Sequence, residues 1–340
     1  MSSRMLEEAL QAPNVVARLL SADWDAAVAL GIALRSHPPK ALLTVARGSS
    51  DHAAHYMAYL VMARLGRLVT SLPMSLVTLY SSCLQCDGLT SLAFSQSGQS
   101  PDLVAPTSFF RQGGARTVAF VNDPGSPLAC AAEWVFPLHA GVETSVAATK
   151  SYIAQLVAGA RFVGAWQADA ALVAALDCLP ETLETAACQD WGIAVEALAQ
   201  ADRLFVIGRG TGLAIAMEAA LKFKEVCGIQ AEAFSGAEVK HGPMALVEEG
   251  YPLLVLAPDG PAQAGLLRLA DEMRRCGARV LLAAPSGTPN SELPIVSTSA
   301  EDLDPISTVQ SFYPMVEALA HARGLDPDQP RHLAKVTRTS

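Results

Sequence analysis

The sequence predicts an α/β protein built from two copies of a doubly wound, parallel five-stranded sheet flanked by helices. Three observations carry that prediction. The second half of the chain echoes the first: Arg47-Gly48 in "ALLTVARGSS" returns as Arg209-Gly210 in "RLFVIGRGTG", 162 residues on. Likewise, the Gly-Ala-Arg triplet at Gly114 in "FFRQGGARTVAFVND" returns at Gly277 in "EMRRCGARVLLAAPS", 163 residues on. Within each copy, short β-rich runs alternate with helical stretches, as the crossovers of a parallel sheet require. Those runs are almost continuously apolar, so both faces of each sheet are covered.

Composition bounds the rest. The chain has 340 residues, of which 51% are hydrophobic and 17% charged, with a mean hydropathy of +0.28. That is enough apolar material for two compact domains and too little charge for a disordered chain. A net charge of −9 and a pI near 5.3 leave no electrostatic footprint for nucleic acid or an anionic membrane, so neither is expected as a partner. No apolar run approaches the ~18 residues of a membrane span. Acidic residues in "MSSRMLEEALQAPNVVARLL" stand where a secretory signal would have its apolar core. The seven cysteines are odd in number and scattered, which fits free thiols in a reducing compartment, and a cytoplasmic protein is expected. Cys83 and Cys86 form a C-x-x-C, but no second pair follows, and a structural role is expected for them.

Taken in order, residues 1–35 read as a helical extension. Residues 36–165 form the first sheet domain, with strands at "ALLTVA", "RLVTSLPMSLV", "LTSLAF", "ARTVAFV" and "WVFPL". Residues 166–200, rich in Ala, Leu and Glu, read as a helical connector. Residues 201–325 form the second sheet domain, with strands at "RLFVIG", "IQAEAF", "PLLVLAP", "ARVLLAAP" and "LPIVST". The polar, proline-bearing tail 326–340 belongs to neither sheet.

Ligands of such sheets sit beyond the carboxyl ends of the strands. There the first copy places "SQSGQS", between a strand end and a helix start. Helix-terminal N–H groups favour an anion; Ser95, Gln96, Ser97 and Ser100 add side-chain donors, and Gly98 lets the backbone come close. An ordinary Ser/Gly turn with an N-cap has the same composition. Two features favour a phosphate: Ser49 and Ser50 lie at the same edge, and the second copy has "LAPDGPAQ" in the corresponding stretch, without the hydroxyls. The loop is not a P-loop, and "GRGTGLA" lacks the glycine spacing of a dinucleotide fingerprint. A phosphorylated small molecule is therefore expected rather than a nucleotide.

In the second copy, "AIAMEAALKFKEVCG" predicts a helix capped by Gly228. Glu218, Lys222 and Glu225 fall on one face of it, either as a solvated ion pair or as acid–base machinery. "AEAFSGAEVKHGPMAL" follows, where His241 before Gly-Pro is either a structural or a proton-transferring histidine. His52 and His55, three apart after "ARGSS", have no accompanying carboxylate motif, and no metal site is predicted.

These motifs, together with "VETSVAATKSY" and "DQPRHLAK", resemble the isomerase half of glucosamine-6-phosphate synthase, a pair of tandem sugar-isomerase (SIS) domains. By that resemblance Ser50, Ser95, Gln96, Ser97 and Ser100 contact a sugar phosphate, and Ser49, Val146 and Ala334 line the sugar hydroxyls. Glu225 resembles the base that moves a proton between C1 and C2, with Lys222 beside it. His241 resembles a ring-opening residue lent by a neighbouring subunit, which implies a homodimer. Lys335 resembles a lysine reaching in from the tail. Ala148 stands where the synthase has a serine. The sequence offers no glutaminase segment ahead of the SIS region, so the expected direction is the reverse one. Glucosamine 6-phosphate and water would give fructose 6-phosphate and ammonia, as in the SIS-type glucosamine-6-phosphate deaminases, without metal or redox cofactor. A fructosamine-6-phosphate deglycase or an aldose–ketose sugar-phosphate isomerase would use the same groups. A non-catalytic sugar-phosphate sensor would have no need of Glu225 and His241.

Overall fold

The computed structural model describes residues 2–335. Its ten strands are β1 (Ala41–Val45), β2 (Val69–Ser71), β3 (Leu89–Ser95), β4 (Arg116–Val121), β5 (Trp134–Pro137), β6 (Arg203–Gly208), β7 (Gln230–Ser235), β8 (Pro252–Leu256), β9 (Arg279–Pro285) and β10 (Leu293–Ile295). The helices are α1 (Arg4–Leu10), α2 (Ala12–Ser21), α3 (Asp25–Ser36), α4 (Ser49–Leu65), α5 (Ser75–Thr78), α6 (Pro101–Gln112) and α7 (Pro127–Ala131). They continue with α8 (Lys150–Gln167), α9 (Ala170–Asp177), α10 (Leu179–Ala187), α11 (Gly192–Leu198), α12 (Gly212–Cys227), α13 (Gln263–Arg275) and α14 (Asp304–Ala322).

All strand pairs are parallel, in two five-stranded sheets ordered β2-β1-β3-β4-β5 and β10-β9-β8-β6-β7. Read from the other edge, the second order is β7-β6-β8-β9-β10, which is the first order transposed by five strands. The fold is therefore the predicted duplicated doubly wound α/β architecture. Each predicted strand is present, with two cut to three residues; "LPIVST" keeps only Leu293–Ile295. "RLVTSLPMSLV" keeps only the three residues of β2 before turning into α5. Pro73 has no N–H to give a ladder, and β2 is an edge strand that is mostly exposed.

The chain divides into two compact units, one comprising residues 14–143, 150–177 and 334–335, the other 2–13, 144–149 and 178–333. In the first, β3 and β4 are buried along almost their whole length, and Phe94 stacks on Phe120 with ring centroids 4.6 Å apart. Phe120 in turn meets Phe162 of α8 edge-on, and α8 is nearly all buried, Lys150 and Gln155 included. In the second, Phe205, Tyr251 and Met273 centre the apolar cluster under α13. Here α12 and α14 pack together through an edge-on contact of Phe223 with Phe312. None of the described helices is long and apolar enough to cross a membrane.

The crossover α12 fixes where its polar residues fall. It begins just beyond the carboxyl end of β6 and ends at Gly228, whose φ of +62° closes the helix just ahead of β7. Its last turn consequently lies at the amino edge of the sheet. Gly208, the final residue of β6, lets the chain enter α12 closely: a Cβ there would fall 2.5 Å from the Gly212 carbonyl oxygen. A backbone atom cannot move aside as a flexible side chain can. Gly208→Ala should therefore destabilise the protein by about 2 kcal/mol or more, measured as the loss of unfolding free energy in urea.

Candidate functional site

In the first unit the candidate groups gather at the carboxyl ends of β1 and β3. Ser95, the last residue of β3, is buried, and its Oγ accepts a hydrogen bond from the Gly98 amide at 3.0 Å. Ser97 Oγ likewise accepts from the Gln99 amide, so the run folds into successive side-chain-held turns. Gly98 has φ +66°, and a Cβ on it would lie 2.1 Å from Ser126 Oγ. Only glycine fits both the backbone and the space. Ser100 is the N-cap of α6, with Pro101 at the first helical position; its side chain makes no capping hydrogen bond. Gln96, Ser97 and Ser100 are partly exposed.

The neighbouring turn Arg47-Gly48 leads into α4 with Gly48 at φ +55°. It places Ser49 and Ser50 in the first turn, where Ser50 Oγ accepts from Gln155 Nε2 of α8 at 3.0 Å. Arg47 Nε donates to Asp102 Oδ2 at 3.0 Å, tying the two helix starts together. With that arginine neutralised, an anion here would be met by hydroxyls and main-chain N–H groups. Further along α4, burial holds His55 below its ordinary value, against the opposing attraction of Asp51. Cys86 of the C-x-x-C is buried and packed against Gly113.

Glu143 is the acidic centre of this unit. Its side chain is fully buried; it accepts from the Ser151 amide and from Ser151 Oγ at 3.1 and 2.6 Å. It also accepts from Lys335 Nζ at 2.9 Å, which seats the tail lysine. Residues 336–340 of the predicted tail lie outside the described residues. Ala334, the predicted sugar-lining neighbour of Lys335, is exposed.

In the second unit, Glu218, Lys222 and Glu225 meet as their helical spacing requires. Lys222 Nζ lies 3.1 Å from Glu218 Oε1 and 2.6 Å from Glu225 Oε2. The face is not solvated: the side chains of Lys222 and Glu218 have no exposed surface, while Glu225 keeps 17%. Burial pulls the Lys222 pKa down, but the attraction of Glu218 and then Glu225 outweighs it and the net shift is upward. Lys222 therefore stays an ammonium. Glu225 alone of the three lines a cavity of about 730 Å³, whose wall also includes Lys224, Arg323 and Arg331.

The other predicted residues are more dispersed. His241 is exposed at the end of a single 3₁₀ turn, Glu238–Lys240, with its amide donating to the Glu238 carbonyl, and it does not line this cavity. Val146 and Ala148 are half-buried in the segment 144–149. Glu8 of α1 holds the start of that segment: its carboxylate accepts from the Thr144 amide at 2.6 Å and the Ser145 amide at 3.0 Å. Sequence reasoning did not single out Glu8, Glu143 or Gln155. Glu143 is the one acid within "VETSVAATKSY", which is the signal that sequence offers; Glu8 and Gln155 carry none, because their partners are distant in sequence.

Fold and site together define a duplicated α/β protein with a hydroxyl-lined helix mouth in one sheet and a buried carboxylate–lysine helix beside the other. The chain belongs to the SIS domain family, which it matches at residues 37–164 and 197–322, once per sheet. Among curated proteins, the isomerizing glutamine–fructose-6-phosphate aminotransferase of Methanothermobacter thermautotrophicus is 33% identical over 344 residues, covering 97% of this chain and 56% of that protein. The chain spans about half the length of the curated relatives it matches. Among solved structures, a Silicibacter pomeroyi protein whose phosphosugar isomerase name is provisional superposes with a TM-score of 0.91 at 43% identity, covering 96% of this chain and 100% of its own. A glucosamine-6-phosphate deaminase from Thermotoga maritima shares the fold, with a TM-score of 0.79 at 21% identity over 99% of this chain and 100% of its own.

The ion-paired helix makes a stability prediction. Lys222→Met should leave Glu218 as an uncompensated buried carboxylate and cost about 3–5 kcal/mol in urea unfolding. Adding Glu218→Gln to that variant should recover much of the loss. Because the folded pKa of Lys222 is raised above its ordinary 10.5, its stabilising contribution is complete below that pH and is lost as pH rises through the folded value.

Proposed function

We propose that this protein is an enzyme that shifts a proton between C1 and C2 of a phosphorylated 2-amino sugar and releases the amine. Glucosamine 6-phosphate and water would become fructose 6-phosphate and ammonia. The observation that carries the reading is Glu225, a carboxylate locked by a buried ammonium while part of it lines a cavity. Such a group is held in place beside an open cavity, as a proton-shuttling base must be. The relatives support the class: an isomerizing aminotransferase named for fructose 6-phosphate shares a third of its aligned residues with this chain.

The steps balance without a redox partner. His241 assists opening of the pyranose ring to the aldehyde. Glu225 takes the proton from C2, giving an enolamine, and returns it to C1, leaving an imine at C2. Water adds to the imine carbon and ammonia departs, so one water is consumed and one ammonia released. Ser50, Ser95, Gln96, Ser97 and Ser100 hold the phosphate; Ser49, Val146 and Ala334 face the sugar hydroxyls; Lys335 approaches from the tail. The working assembly in this reading is a homodimer in which each chain lends His241 to the other.

A plain aldose–ketose isomerase is the second reading, favoured by the name of the Silicibacter pomeroyi protein that is 43% identical. The two separate on the fate of nitrogen. Incubation with glucosamine 6-phosphate should release ammonia and fructose 6-phosphate in equal amounts; no ammonia from that sugar, with interconversion of glucose 6-phosphate and fructose 6-phosphate, selects the isomerase instead. Glu225→Gln should lower kcat by about 10²–10⁴-fold while sugar-phosphate binding persists. Undiminished turnover in that variant removes Glu225 from the chemistry. Mixing inactive Glu225→Gln and His241→Ala chains should restore activity if His241 is lent across subunits, and should restore none if each site is built by one chain.

A further inference from the structure

We infer that the second sheet carries an anion site of its own, at its carboxyl edge, that accepts a phosphate monoester. The two copies differ beside their Arg-Gly turns. In the first, Arg47 of the Arg-Gly turn is neutralised by Asp102 in the first turn of α6, at 3.0 Å. Asp102 stands twelve residues before Gly114; twelve residues before the matching Gly277 stands Gly265, in the first turn of α13. The helices end at equivalent residues, Gln112 and Arg275, so the correspondence holds in the structure as well as in the sequence.

The arginine has stayed while its carboxylate has gone. Arg209 repeats Arg47, and Gly210 repeats the left-handed turn with φ +64° against +55° at Gly48. A Cβ placed on Gly265 would lie 3.8 Å from Arg209 Nη1 and 4.0 Å from Arg268 Nη2, so two guanidinium groups converge on the point where the first copy carries its aspartate. Among the described residues neither arginine has a carboxylate within ion-pairing distance.

These groups line a concavity of about 520 Å³, wide enough for a hexose phosphate, together with Arg275 and Lys240. Its two acids are already engaged: Glu272 pairs with Lys240 and Asp271 with Arg274. Arg209, Arg268 and Arg275 therefore remain as an excess of positive charge on a protein of net charge −9. The first turn of α13 adds the positive end of its dipole. Planar guanidinium groups match the oxygens of a phosphate, and the dianion uses more of this charge than a single carboxylate would. The candidate base Glu225 lies in the last turn of α12, toward the amino edge, so this site is separate from that base and does not depend on it.

The test is to restore the missing carboxylate. Gly265→Asp has room for its Cβ, and an acid in a first turn favours the helix, so the variant should fold. Binding of inorganic phosphate and of glucosamine 6-phosphate would be measured calorimetrically on the full chain. The comparison includes Arg209→Ala and a Ser97→Ala/Ser100→Ala variant of the first-copy loop. We expect two sites per wild-type chain, one lost in Gly265→Asp, weakened at least about tenfold in Arg209→Ala, and intact in the loop variant. A single wild-type site removed by Gly265→Asp would still support the inference while counting against the serine loop. Binding whose stoichiometry and affinity both second-copy variants leave unchanged overturns it.

Discussion

The second copy depends on one buried cation. An ammonium shut away from water is costly, and Lys222 is tolerated because two carboxylates of its own helix stand one turn away on the same face. Their spacing makes the arrangement local: once α12 forms, the three side chains meet without help from the rest of the chain. The fold then decides its use. With α14 packed on α12, water is kept from Lys222 and Glu218, and the last turn is left facing a cavity. Glu225 is thus the exposed end of an otherwise closed charge system, oriented by a partner that cannot rotate away.

Duplication explains how one architecture carries different chemistry in its halves. Both sheets have the same strand order, the same left-handed Arg-Gly turn and the same helix endings, because these follow from backbone constraints. The side chains at the ligand edge are free of those constraints and have diverged. One copy has hydroxyls and an arginine neutralised by Asp102; the other has "LAPDGPAQ", with Asp259, in place of the hydroxyl loop, and an arginine facing a glycine. The hydroxyl loop is itself held by packing, since Gly98 fits against Ser126 where no other residue could.

Long-range polar anchors place the remaining pieces. Glu143 holds Ser151 and, across 192 residues of sequence, Lys335, and Glu8 holds the main-chain amides of Thr144 and Ser145. Each is a carboxylate nearly or wholly removed from water and satisfied by several donors, the condition under which a buried charge is stable. They position the tail lysine and the segment carrying Val146 and Ala148 without taking part in a regular element.

The sequence by itself determined the duplication, all ten strands and the cap of α12 at Gly228, because periodicity, apolar runs and glycine placement act over a few residues. It also placed Glu218, Lys222 and Glu225 on one face, since helical spacing is local. It left open whether that face meets water, and it overextended β2, where Pro73 and an edge position cut the pairing short. Burial of Lys222, the seating of Lys335 on Glu143, the support of Ser50 by Gln155 and the loss of a partner for Arg209 were decided only in three dimensions. Each depends on which distant residues the fold brings within hydrogen-bonding reach, and that is a property of packing rather than of any short stretch of chain.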